Sequence, residues 1–174
     1  MVDYGEVCER AARAGGQILL NYRSRFRVRE KAPRDLVTDA DVASQRAIRE
    51  IILGAFPDHD FLGEEEDAGA GPTIRNRVGD GRPRWLVDPL DGTANYVHGL
   101  QGFAVSIAVE QQGRILAGVV LDPISGECFA AGAGQGAWLN GRLLKASDYQ
   151  ELHQAMGGCA IRQTSWQPSP PRRR

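Results

Sequence analysis

Long hydrophobic runs are missing from this chain. No apolar stretch approaches the ~20 residues needed to span a bilayer, so no membrane partner is expected. The opening Met-Val-Asp-Tyr-Gly-Glu lacks a basic segment followed by an apolar one, which speaks against a secretory signal. Cysteine is scarce: Cys8, Cys128 and Cys159 are odd in number, widely spaced and without metal-ligand or redox pairing. That pattern excludes a disulfide framework and fits a reducing compartment, so a cytoplasmic location is expected. A surplus of one charge is lacking too, since 21 Lys and Arg against 22 Asp and Glu leave −1. A nucleic-acid binder would usually carry a basic face, so no nucleic-acid partner is expected. The balance is uneven, however. Residues 161–174 hold four arginines and no acid, which leaves −5 on the first 160. A mildly acidic body suits a protein that gathers carboxylates around cations. With 174 residues, 42% hydrophobic and 25% charged, the chain is ordinary for a soluble globular domain with a sizeable core.

What the chain does have is Trp85-Leu86-Val87-Asp88-Pro89-Leu90-Asp91-Gly92-Thr93-Ala94-Asn95-Tyr96. A short apolar run leads into a tight turn and reads as a buried strand. Asp88 and Asp91 then sit at its exit, where hard carboxylate oxygens can share a divalent cation. The backbone after Gly92 can offer N–H groups to an anion, especially if a helix starts there. Carboxylates for metal beside amides for phosphate point to a phosphate-handling site.

Elsewhere the periodicity is simple. Val7, Ala11, Ala14, Ile18 and Tyr22 recur every three or four residues and predict the face of a first helix. The basic stretch Arg23 to Arg34 reads as an irregular or extended connection. Thr38 with Asp41 three residues later resembles a capping box, and it predicts a second helix through Ile48 and Ile52 that stops before Pro57. Phe61-Leu62 predicts a short strand leading into Glu64-Glu65-Glu66. Residues 67–84, rich in glycine with two prolines, read as an exposed loop, either a mobile flap or a tolerated insertion. Residues 103–109, 115–121, 128–130, 137–139 and 142–144 read as strands of an antiparallel meander, with turns at Gln111-Gln112-Gly113 and Pro123 to Gly126. Two helices followed by a run of strands is an α+β pattern.

Three segments together resemble the inositol monophosphatase family of metal-dependent phosphatases. These are the Asp-Pro-Leu-Asp-Gly-Thr-Ala-Asn-Tyr run from Asp88, Asp35-Leu36-Val37-Thr38-Asp39-Ala40-Asp41, and Phe61-Leu62-Gly63-Glu64-Glu65-Glu66. The resemblance covers residues 1 to about 160. It implies the N-terminal half of the inositol monophosphatase and sugar phosphatase fold, two helices packed on a mostly antiparallel sheet. It also implies a Mg²⁺-dependent phosphomonoesterase that hydrolyses inositol monophosphate or a similar small polyol phosphate with an activated water. Fructose bisphosphate, histidinol phosphate and phosphoadenosine phosphate are the alternative substrates. In the implied site Glu64, Asp88, the Leu90 carbonyl and Asp91 hold the metal, and Glu64 and Thr93 orient and deprotonate the water. Asp91, Gly92 and Thr93 hold the phosphate. Asp41 and Glu65 brace the ligands, although Asp41 equally reads as a helix cap, and Lys31 neutralises charge at the mouth. His98, just past the motif, has no catalytic counterpart in the family and reads as a structural or rim residue. Full-length relatives are expected to be homodimers.

The family also has a second half with a Trp-Asp-x-Ala-Ala-Gly-like segment, whose aspartate completes the second metal site. Nothing of that kind occurs here. Residues 1–160 are therefore expected to form one sugar-phosphatase-type domain, and residues 161–174 a disordered Pro/Arg-rich tail. That tail reads either as out-of-frame translation after a truncation or as a basic docking tail. A catalytically silent fragment is the alternative to an active enzyme.

Overall fold

The computed structural model describes residues 3–32, 35–64, 81–151 and 153, with the side chains of residues 29–37 set aside. The predicted loop over most of 67–84, Glu65, the Lys31 side chain and the tail at 161–174 therefore lie outside the described residues. The chain divides into two units, Met1–Leu144 and Lys145–Arg174, and the helices and strands between Tyr4 and Leu143 all belong to the first.

Helix α1 (Tyr4–Tyr22) starts at Asp3, whose side chain accepts from the Gly5 N–H at 2.8 Å. Its buried stripe is Val7, Cys8, Ala11, Ala12, Gly15, Gly16 and Leu19. That face is rotated from the predicted one, because Ala14, Ile18 and Tyr22 are only half-buried. The reason is steric. A Cβ on Gly15 would come within 2.7 Å of Ile48 and Ser44, and one on Gly16 within 2.9 Å of Leu121. The glycines are therefore the contact surface, and a scale of hydrophobicity passes over them.

Arg23 to Arg34 turns into more than a connection: β1 (Val28–Ala32) and β2 (Asp35–Thr38) pair as an antiparallel hairpin. Helix α2 (Asp39–Ala55) follows at once. Its predicted capping box forms, with the Thr38 Oγ accepting from Ala40 and Asp41 N–H and the Asp41 side chain accepting from the Thr38 N–H.

The remaining elements make a seven-stranded sheet in sequence order: β3 (Asp60–Gly63), β4 (Arg84–Asp91), β5 (Ala104–Gln111), β6 (Arg114–Leu121), β7 (Cys128–Gly132), β8 (Gly136–Leu139) and β9 (Arg142–Leu143). The meander is antiparallel throughout, while β3 runs parallel to β4 at the edge. Gln112-Gly113 and Asn140-Gly141 turn with positive φ at both residues, the twist that two-residue hairpins require. A third, five-residue helix, α3 (Thr93–Val97), follows β4.

Strand alternation sorts the side chains by face. Trp85, Val87, Val105, Ile107, Val109, Val119 and Leu121 are buried on the inner face and share one core with α1 and α2. Burying each such side chain contributes about 1.5–3 kcal/mol before the entropy of ordering it. The outer face carries Leu62, Leu86, Ser106, Ala108, Val120 and Phe129, none fully buried, with Val120 and Phe129 45% and 42% exposed. The sheet is thus covered on one side by this unit's own helices.

Candidate functional site

Register brings the first two acidic groups together. Asp60, Phe61, Leu62 and Gly63 pair with Arg84, Trp85, Leu86 and Val87, and the Glu64 N–H donates to the Val87 carbonyl at 3.1 Å. The next residue along each strand is an acid, Glu64 on one and Asp88 on the other. Both lie at one end of an open concavity of about 900 Å³ above the outer sheet face, floored by Leu62, Leu86, Ser106 and Ala108.

The electrostatics follow from that meeting. Burial, the charge of Glu64 and a hydrogen bond shared with it push the Asp88 carboxyl from the ordinary 3.8 up to about 7. The Leu90 N–H, 3.0 Å from Asp88 Oδ1, pulls the other way, and Asp91 adds the smallest upward push. Glu64 and Asp91 are exposed, whereas Asp88 is half-buried. Glu64 and Asp88 therefore gather negative charge at this end of the concavity, with no cationic side chain among the causes of the Asp88 shift.

Behind this pair β4 changes register between Asp88 and Asp91, so Pro89 and Leu90 bulge from the ladder. Both are buried. The Ser44 hydroxyl of α2 donates to the Pro89 carbonyl at 3.2 Å and ties the bulge to the helix. Gly92 then turns the chain with φ 87° and ψ 34°. α3 starts at Thr93, whose hydroxyl lies 3.0 Å from the Leu90 carbonyl and 3.4 Å from Asp41 Oδ1. Asp41 is 2% exposed, and its other oxygen serves Thr38. The helix cap and the contact with Thr93 are therefore the work of one side chain. The first-turn amides of α3 have no partner within that helix.

The structure thus gathers Glu64, Asp88, Leu90, Asp91, Gly92, Thr93 and Asp41 around the β4 bulge. Glu65 and the Lys31 side chain lie outside the described residues, and His98 is exposed beyond the end of α3. Among the described residues, no three acidic, His or Cys side chains converge into a complete metal-ligand group. Cys8 and Cys128 are free and buried, and burial pushes both thiols up, Cys8 to about 12, so neither is poised as a nucleophile. Sequence reasoning missed Gln45, which is 2% exposed and whose amide fills the space that a Cβ on residue 63 would take. Its only signal was a polar residue on the apolar face of α2.

The chain shares this α+β fold with solved structures. One is the extragenic suppressor protein suhB of Bartonella henselae, with a TM-score of 0.74 at 38% identity over 84% of this chain and 55% of that one. Another is a Thermotoga maritima IMPase, with a TM-score of 0.69 at 34% identity over 80% of this chain and 52% of that one. In sequence it is 44% identical to an inositol-1-monophosphatase of Rhizobium meliloti (strain 1021) over 74% of its own length and 46% of that protein's. The family model for the inositol monophosphatase family matches residues 4–168. The chain belongs to that family. It spans about half the length of the curated relatives it matches.

Proposed function

We propose that this chain supplies the acidic, phosphate-facing part of a Mg²⁺-dependent phosphomonoesterase acting in the cytoplasm on inositol monophosphate or a similar small polyol phosphate. The observation that carries the reading is the Glu64–Asp88 pair, two carboxyls held together with no cationic side chain among the causes of the Asp88 shift. The donor set fits the ion: carboxylate and carbonyl oxygens from Glu64, Asp88, Leu90 and Asp91, with no nitrogen or sulfur, suit a hard divalent cation that keeps several waters. When bound, such a cation lowers the pKa of a water and offsets phosphate charge.

The rest is the work of the chain's own groups. Glu64, exposed at the end of β3, accepts the proton of the attacking water. Thr93 orients that water, its hydroxyl held between the Leu90 carbonyl and the buried Asp41 carboxylate. The Gly92 and Thr93 amides and Asp91 position the phosphate at the bulge. The bulge keeps these groups in place because Ser44 and the Asp88–Leu90 hydrogen bond restrain it from both sides.

One observation favours a second reading. Among the described residues no three acidic, His or Cys side chains form a complete metal-ligand group, as expected of a catalytically silent fragment. Phosphate release from inositol 1-phosphate by the purified chain, with and without Mg²⁺ and beside Asp88→Asn, decides between them. Mg²⁺-dependent release lost in Asp88→Asn supports the enzyme. A folded chain that releases no phosphate overturns it in favour of the silent reading.

A further inference from the structure

The short strand β3 has little of its own to fix its register. It has four residues, all half-buried, at the edge of the sheet, yet one residue of slip would turn Glu64 to the other face and away from Asp88. At the end of β3 opposite Glu64 stands His59. Its Nδ1 accepts from the Trp85 indole Nε1–H at 3.0 Å, a bond from the residue before β3 to the second residue of β4. Trp85 is a firm post: it is fully buried, with Tyr4 edge-on at 6.0 Å and Phe56 at 5.6 Å between ring centroids. The His59 ring stacks on Phe56 at 4.6 Å and 13°, which holds the plane of the ring beside the indole. Alternation along β3 then sets the outcome, with His59, Phe61 and Gly63 on the inner side and Leu62 and Glu64 on the outer.

We infer that His59 is a positioning residue for Glu64, its bond to Trp85 locking the β3–β4 register that carries Glu64 to Asp88. The indole N–H can only donate, so the Nδ1 that faces it is the proton-free acceptor, and burial shifts His59 below its ordinary value against the pull of Asp58 and Asp60, in the direction that favours this bond. The inference rests on the reading of Glu64 and Asp88 as the functional pair. It adds a residue on the inner face, remote from the acids, that neither composition nor motif singles out.

The test uses the full chain with His59→Leu, which removes the acceptor, and His59→Asn, which restores an oxygen close to the place of Nδ1. Two quantities are read: hydrogen exchange at the Glu64 amide, and Mn²⁺ affinity. Loss of one hydrogen bond is expected to speed exchange at Glu64 about fivefold. Exchange in α1, β5 and β6 stays unchanged, Mn²⁺ affinity falls by a similar factor, and His59→Asn recovers most of both. Exchange that rises evenly through the chain, or a folded His59→Leu with wild-type exchange at Glu64, overturns the inference. So does equal Mn²⁺ affinity in wild type and His59→Leu, which leaves the metal reading intact. A wild type that binds no Mn²⁺ but shows the expected exchange pattern sinks the metal reading and leaves the register lock standing.

Discussion

Gly92 is the residue whose replacement should be felt most, and the structure supplies its own control. Its φ of 87° is left-handed, where an L side chain costs about 1–2 kcal/mol. A Cβ built there would also lie 2.8 Å from the Gly102 carbonyl and 3.2 Å from the Phe103 Cα, both backbone atoms with little room to yield. Overpacking of that kind adds about 1–3 kcal/mol. Gly99 has a φ of 70° but nothing within 4 Å of its Cβ position, so Gly99→Ala carries the backbone strain alone. Gly92→Ala is therefore expected to cost about 3 kcal/mol and Gly99→Ala about 1 kcal/mol. In a chain of this size those costs correspond to roughly 6–12 °C and 2–4 °C in Tm. Thermal and urea unfolding of both variants measure the difference directly. If Gly92→Ala melts no lower than Gly99→Ala, the close approach of Gly92 to the 102–103 backbone contributes nothing and the reasoning fails.

Two further outcomes follow from the site. Asp88 in the folded chain holds its proton more tightly than an ordinary aspartate at 3.8, so its contribution to stability is full below about pH 4 and is lost as pH rises through about 7. That interval would be worth ~4 kcal/mol for a fully buried group, and solvent access to a half-buried one reduces it to about 1–2 kcal/mol. Metal-free wild type should therefore lose about 2–8 °C more than Asp88→Asn between pH 4 and pH 8, and parallel melting curves would refute the coupling. Gly63→Ala would drive a methyl into the buried Gln45 amide, so β3 should shift and Mn²⁺ affinity fall while α1 keeps its amide protection. Wild-type affinity in that variant would show that Gln45 moves aside freely.

Much of the site was legible because it is local. Asp88, Leu90, Asp91, Gly92 and Thr93 lie within six consecutive residues, so one strand, one bulge and one left-handed turn bring them together whatever the rest of the chain does. The Thr38–Asp41 cap was equally plain, since a capping box is complete within four residues. The meander was legible from period-two alternation and Gly-containing turns. Less visible was the face of α1, because Gly15 and Gly16 pack by having no side chain. The β1–β2 hairpin was read only as a connection, because its basic residues follow no apolar alternation.

The sequence by itself determined the family and the α+β class, because these rest on neighbouring residues and short-range periodicity. Only the tertiary structure decided that Glu64 meets Asp88 through a parallel strand pair, that Asp41 reaches Thr93 across 52 residues, and that Gln45 and His59 brace the two ends of β3. Those contacts depend on how separate segments close on one another, and loop closure leaves no periodic trace in the residues that it brings together.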